Sequence, residues 1–236
     1  MIFSDDCYQK DTCWKYQTKE DCECKTSNIF CPKLFRLDYL FDAALLSHKQ
    51  RVRIPLLLDE DGTDREAFNL LKEIELNIDS FVSEGKHLYI HSTTCGNGKT
   101  AWSLRLLQAY FSNIWYKSDL RCRALFISVP RYLQALKDSI NTPSEYVNHI
   151  KSNILTADIV VFDEIGTKVA TPFELENLLN MINSRIDLGK SNIYTSNMRD
   201  FEVKEKLGER LYSRVLNLST CLEFSGADKR SLEKMR

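Results

Sequence analysis

The sequence predicts an α/β fold: a five-stranded parallel sheet with helices between its strands, preceded by a small Cys-rich, mainly helical module. Three observations lead there. From Lys86 onward, apolar runs of strand length alternate with amphipathic runs of helix length, the pattern of a parallel sheet with crossover helices. The segment LYIHSTTCGNGKTAW, residues 88–102, passes from an apolar strand through a small polar turn with two glycines into an apolar helix. A second apolar strand, DIVVF, ends in Asp163-Glu164.

In chain order, residues 1 to about 40 are short, polar and Cys-rich, and end in KLFRLDYLFDAALLS. There Leu34, Leu37, Leu40, Phe41, Ala44 and Leu45 recur at helical spacing, which predicts one amphipathic helix. The next piece carries a break at Pro55 and an Asp-Gly turn, then a helix with Phe68, Leu71, Ile74 and Ile78 on one face. A boundary is expected near residue 80, dividing an N-terminal module (1–80) from the main domain (81–236). Strands are expected at 87–92, 123–129, 158–162, 191–196 and 220–224. The helices between them run over 99–113, 130–140, 144–155, 172–188 and 203–216, with Pro130, Pro143 and Pro172 where helices start. The ligand crevice of such a sheet lies at the carboxyl ends of its strands, where both polar motifs fall.

A chain of 236 residues with 43% hydrophobic content buries one sizeable core plus a small appendage. Its formal net charge of −1 provides no general attraction to nucleic acid or membranes, so any DNA contact must come from a local patch. No apolar run approaches the roughly 20 residues of a membrane helix, and the start MIFSDDCYQK lacks the order of a signal peptide. A cytoplasmic protein with reduced thiols and no membrane contact is therefore expected. Five of the eight cysteines crowd into the first 31 residues: Cys7, Cys13, Cys22, Cys24 and Cys31. Thiolates gathered in a reducing compartment point to a metal, with zinc on four of the five as the default. An iron–sulfur cluster and unligated, partly buried thiols are the alternatives. Cys95, Cys122 and Cys221 are expected to be packing residues.

The glycine turn suits a phosphate cradle. A loop that aims several backbone N–H groups at a polyphosphate needs backbone angles that a Cβ resists, and Gly96 and Gly98 supply them within Thr94-Cys95-Gly96-Asn97-Gly98. The following helix presents its positive end, Lys99 reaches the phosphates and the Thr100 hydroxyl can ligate Mg²⁺. The P-loop pattern departs once, at Thr93, where its first glycine would stand. Burying Asp163 and Glu164 at a strand end is costly without a cation, which Mg²⁺ with a nucleotide provides. Asp163 would hold the metal and Glu164 would polarise the attacking water. The strand end NIYTSN exposes Ser196 and Asn197, an amide able to report on the γ-phosphate. The helix in KLGERLYSRVLNL carries Arg210 and Arg214 four apart, downstream of Arg199 and Lys204, and one of them could reach a neighbouring subunit's nucleotide.

From about Lys86 to its end the chain resembles an AAA+ ATPase of the DnaC/DnaI helicase-loader family, with phage-type loaders and IstB-like transposition ATPases as relatives. The resemblance rests on CGNGKT, ISVPRYLQALKDSI, IVVFDEIG, YTSN and LGERLYSRVLNLSTCLEF, in that order. With only about a dozen residues after the last strand, the usual C-terminal helical lid is expected to be absent. The resemblance implies ATP and Mg²⁺ as cofactors, Thr100 and Asp163 at the magnesium, Glu164 as catalytic carboxylate and Asn197 as first sensor. It further implies Arg214 as the arginine finger, Arg210 as the arginine of GER and Arg230 as second sensor. The Cys-rich start fits a zinc module that docks on a helicase, and the compact architecture suggests a phage of a Gram-positive host.

The function implied is an ATP-dependent loader of a hexameric DnaB-type replicative helicase onto single-stranded DNA. Such a loader assembles with ATP into a homo-oligomeric, hexameric spiral that turns over slowly. Lys168, Arg131 and Tyr132 are the candidates for DNA contact. The alternatives are an IstB-like helper ATPase acting on duplex DNA, and a nucleotide-regulated helicase-binding protein without significant turnover.

Overall fold

The computed structural model describes residues 32–51, 62–117, 119–140, 142–167 and 170–229. Four helices come first: α1 (Pro32–Ala43), α2 (His48–Arg51), α3 (Arg65–Leu76) and α4 (Ile78–Ser83). Strands then alternate with helices as β1 (His87–His91), α5 (Lys99–Ile114), β2 (Ala124–Ser128), α6 (Val129–Asp138), α7 (Glu145–Asn153), β3 (Ile159–Asp163), α8 (Pro172–Asp187), β4 (Ser191–Ser196), α9 (Asp200–Val215) and β5 (Thr220–Glu223). The five strands form one sheet in the order β2-β3-β4-β1-β5, with every neighbouring pair parallel.

A parallel sheet must be covered on both faces, and this one is. Every residue of β3 and β4 is buried. Because side chains alternate across a strand, Leu88, Ile90, Phe126, Val161, Ile193 and Leu222 face a core layer shared with α1, α3, α4 and α5. Tyr89, Leu125, Ile127, Val160, Phe162 and Tyr194 face the other, under α6, α7, α8 and α9. The strands match the expected ones to within a residue at each end. Leu37, Leu40, Phe41 and Ala44 of the first amphipathic segment are buried in the first layer. The expected single helix face of Phe68, Leu71, Ile74 and Ile78 is broken at Asn77 (φ −112°, ψ 30°), whose amide donates to the Glu73 carbonyl. Ile78 then opens α4, which shares its core with the sheet, so the division expected near residue 80 runs through a helix of that layer. Cys122 is buried, with its thiol pushed up to about 12 by burial, whereas Cys95 and Cys221 are exposed and do not serve as the packing residues expected.

The N-terminal edge of the sheet is locked by charge. Arg185 of α8 is fully buried without a carboxylate partner in its hydrogen bonds. It donates at 2.5–2.8 Å to the carbonyls of Ile154, Ala157 and Ser191 and to Asn192 Oδ1, so one guanidinium ties α8 to the starts of β3 and β4. Beside it, Asp158 accepts from Tyr110 Oη (2.9 Å) and pairs with Arg123 (2.6 Å) and Lys190 (3.1 Å). Burial, together with the Arg185 charge, pushes His87 at the start of β1 down to about 4.

Two predictions follow from this edge. Arg185→Ala leaves buried carbonyls without a donor and is expected to cost about 3 kcal/mol or more of unfolding free energy in urea titrations. An unchanged midpoint would show that the cage does not stabilise the fold. His87 stays neutral in the fold down to about 4, while the unfolded chain takes up a proton near 6.5. The unfolded state therefore binds more protons in that window, so stability is full above about 6.5 and falls as pH drops toward 4. His87→Gln is expected to flatten that slope between about pH 7 and about pH 5, and an identical slope would assign it to other groups.

Candidate functional site

The end of β1 sets the loop. Past His91, Ser92 donates its N–H to the Ser196 carbonyl (3.2 Å), and its hydroxyl accepts from the Thr94 N–H (3.0 Å) and the Asn97 amide (2.5 Å). Gly96 (φ 77°) and Gly98 (φ 106°) supply left-handed angles, and α5 begins at Lys99. Thr93 is exposed and is not among the residues with positive φ, which explains why the pattern tolerates a threonine there. The Lys99 side chain is buried, and its ammonium donates to the Thr94 carbonyl (2.9 Å) and to Asn97 Oδ1 (3.1 Å). Asn97 is thus a brace: its amide reaches Ser92 Oγ and the Phe224 carbonyl while its oxygen holds the lysine.

Facing the loop, Asp163 closes β3. The hydroxyls of Thr100 (2.9 Å) and Thr195 (2.6 Å) both donate to its Oδ1, joining the start of α5 to β3 and β4. Burial raises the Asp163 carboxyl above its ordinary range against the opposing effect of the two hydroxyl donors; Glu164 raises it further and Lys99 lowers it. A cation supplied there would offset that desolvation. The hydroxyl and carboxylate are hard oxygen donors of the kind Mg²⁺ takes. Glu164 differs from the expectation that both acids are buried. It lies exposed in the turn after β3 at φ 61°, with its N–H donating to Thr195 Oγ1 (3.0 Å).

Thr195 was not singled out by sequence. Its signal was present as the residue before Ser196 in YTSN, at the carboxyl end of the strand beside β3. Ser196 braces the turn that follows β3, donating to the Ile165 carbonyl (2.9 Å) and accepting from the Met198 N–H (3.2 Å), and Asn197 follows it half-buried at the strand end. Arg210 and Arg214 lie exposed on α9 past Gly208, whose φ of 76° and ψ of 161° break the helix. Neither is brought to the loop by a hydrogen bond or ion pair among the described residues. Lys204 pairs with Glu209 at 3.0 Å.

Of the residues expected to meet DNA, Tyr132 is a correction: it is 1% exposed and packs in the second core layer, because the turn of α6 after Pro130 points it at the sheet. Arg131 is exposed, with its guanidinium 4.5 Å from the Tyr146 ring centroid. Lys168, Arg230 and the five cysteines Cys7, Cys13, Cys22, Cys24 and Cys31 lie outside the described residues. Among the described residues no group of three or more His, Cys, Asp or Glu could hold a metal ion. No described helix is long and apolar enough to cross a membrane.

No family model matches the sequence, and no curated protein matches it. Solved structures share the fold. The DnaC helicase loader superposes with a TM-score of 0.55 at 20% identity, covering 68% of this chain and 89% of that one. DnaI does so with a TM-score of 0.54 at 18% identity, covering 75% of this chain and 88% of that one. The replication initiator DnaA bound to AMPPCP and single-stranded DNA has a TM-score of 0.55 at 17% identity, covering 75% of this chain and 52% of its own, so this chain spans about half of DnaA. The fold is one shared with the DnaC helicase loader, DnaI and DnaA.

The loop glycines give a graded prediction. Gly98→Ala adds a Cβ into open space and costs about 1–2 kcal/mol through its positive φ alone. Gly96→Ala costs more to the extent that the tail holds the exposed Asp228 carboxylate, which its Cβ would overlap, in place. Thermal unfolding of both variants checks the order, and equal losses would mean that the tail yields freely.

Proposed function

We propose that the chain is an ATPase of the helicase-loader type, which places a hexameric DnaB-type replicative helicase on single-stranded DNA and uses ATP as an assembly and release switch. The observation that carries the proposal is the convergence of the Thr100 and Thr195 hydroxyls on Asp163 beside the buried Lys99. The loader role is supported by the shared fold of DnaC, and the nucleotide and single-stranded DNA by the DnaA complex.

In this reading Thr94, Cys95, Gly96, Asn97, Gly98, Lys99 and Thr100 cradle the triphosphate, and Lys99 exchanges its hold on the Thr94 carbonyl for phosphate oxygens. Thr100 and Asp163 would hold Mg²⁺, which would neutralise charge on the phosphates. Glu164, exposed at the strand end, takes a proton from water, and Asn197 orients that water by a hydrogen bond. Arg214 extends from one protomer toward the nucleotide of the next, with Arg210 beside it. Exposed on α9, both arginines are available to a neighbouring copy. Turnover then waits on assembly. The N-terminal module, residues 1–80, would grip the helicase, with zinc on four of its five clustered cysteines.

The test combines the chain with the replicative helicase of its host, with and without ATP, and reads the complexes by native mass spectrometry. Complexes of defined stoichiometry that require ATP are expected, and Lys99→Ala should not form them. Glu164→Gln should hold the ATP-bound assembly while lowering turnover about 10²–10⁴-fold. No complex under either condition would overturn the loader role and make duplex DNA the next partner to try; unchanged turnover in Glu164→Gln would overturn the assignment of the base.

A further inference from the structure

Beyond β5 the chain turns back over the phosphate loop. The Asp64 carboxylate accepts from the N–H groups of Ser225 (2.7 Å) and Gly226 (3.0 Å). The Asn97 amide reaches the Phe224 carbonyl (3.4 Å), and the Lys229 N–H donates to the Gly96 carbonyl (3.0 Å). Asp64, just ahead of α3, holds a left-handed conformation (φ 67°), a strained geometry for a residue with a side chain, and from it caps two consecutive amides of the tail. Held at these points, the tail lays the Asp228 carboxylate against the loop, in the space that a side chain at position 96 would take.

A phosphate cradle works by gathering positive ends: backbone N–H groups, a helix N-terminus and a lysine. An acid in contact with its glycine works against that, because a carboxylate and an arriving triphosphate repel at short range. Asp228 is exposed and lies outside both core layers, so core packing does not place it there.

We propose that residues 225–229 form an acidic strap that gates the nucleotide site, with Asp228 standing against the phosphate loop as an internal anion that a nucleoside triphosphate must displace. The inference rests on the nucleotide reading of the loop given above. Access to the site is then set by how firmly Asp64 and Asn97 hold the strap. The tail is thereby coupled to nucleotide, since displacing Asp228 also pulls on the Lys229–Gly96 hydrogen bond.

Equilibrium binding of ATP and of inorganic tripolyphosphate to the full chain and to Asp228→Asn tests the gate. Removing the charge is expected to tighten both ligands about tenfold at low salt, with the gain shrinking at high salt as screening replaces it. In the unaltered chain, ATP should also speed hydrogen exchange at the Lys229 amide. Equal or weaker binding of both ligands by Asp228→Asn, or an amide that exchanges no faster with ATP, overturns the gate. Weaker ATP binding with unchanged tripolyphosphate binding overturns it differently, by assigning Asp228 to the ribose hydroxyls. If neither protein binds either ligand, the nucleotide reading itself falls and the gate falls with it. Because Asp228 is exposed, the variant keeps the fold, which an unchanged Tm confirms.

Discussion

The site depends on one carboxylate. Asp163 stands at the end of a strand whose every residue is buried, where a charged group is costly unless it is hydrogen-bonded. Two hydroxyls meet that need, one from the first turn of α5 and one from β4. The same bonds that satisfy the acid fix the helix after the glycine loop against two strands of the sheet. Thr195 extends the arrangement by accepting the Glu164 N–H, which sets the second acid in its left-handed turn. The positions of Thr100, Asp163, Thr195 and Glu164 are therefore one constraint, and a change at any of them is transmitted to the other three.

The opposite end of the sheet is built on another principle. There a buried guanidinium collects backbone carbonyls, and Asp158 collects a phenol and two cations, so the edge is closed by paired polar and charged groups. The carboxyl edge instead carries turns with positive φ at Gly96, Gly98, Glu164 and Gly166. One edge is locked, and the other carries turns with left-handed backbone, from which the nucleotide reading proceeds. This is the division of labour that lets an α/β sheet hold a ligand at the carboxyl ends of its strands without loosening its core.

Much of this was legible in the sequence because parallel strands buried on both faces read as apolar runs, and because the loop's glycines answer to backbone geometry while its lysine and threonine stand at the start of the following helix. The Asp163-Glu164 pair was legible as a pair, but its split into a buried and an exposed acid was not. That split depends on the turn after β3 rather than on local composition. The break at Asn77 escaped for a related reason: helical spacing runs on across it, and only the packing of Ile78 against the sheet layer requires a new start. Arg185 and the Asp64 caps were invisible, since each joins positions far apart in the chain whose residue types are ordinary where they stand. Tyr132, a lone aromatic after a helix-start proline and beside an arginine, takes the commoner of its two readings and packs in the core.

The sharing of a fold at 17–20% identity has a physical explanation in the same residues. The sheet asks for apolar runs that fill a layer on each face, which many sequences supply. The loop is stricter, yet even there Thr93 shows that a glycine is dispensable where the backbone does not enter the left-handed region. The demanding positions are few: left-handed glycines in contact with the tail or ahead of α5, a lysine bound within the loop, and hydroxyls aimed at one acid. Under the proposed function the remaining parts sit on the surface, with Glu164 at a strand end and Arg210 and Arg214 past the break in α9. A single chain then presents its phosphate-binding groups inward and its charge-stabilising arginines outward. Under that proposal the site would be completed by a second copy, and catalysis would report on assembly rather than on the isolated protomer.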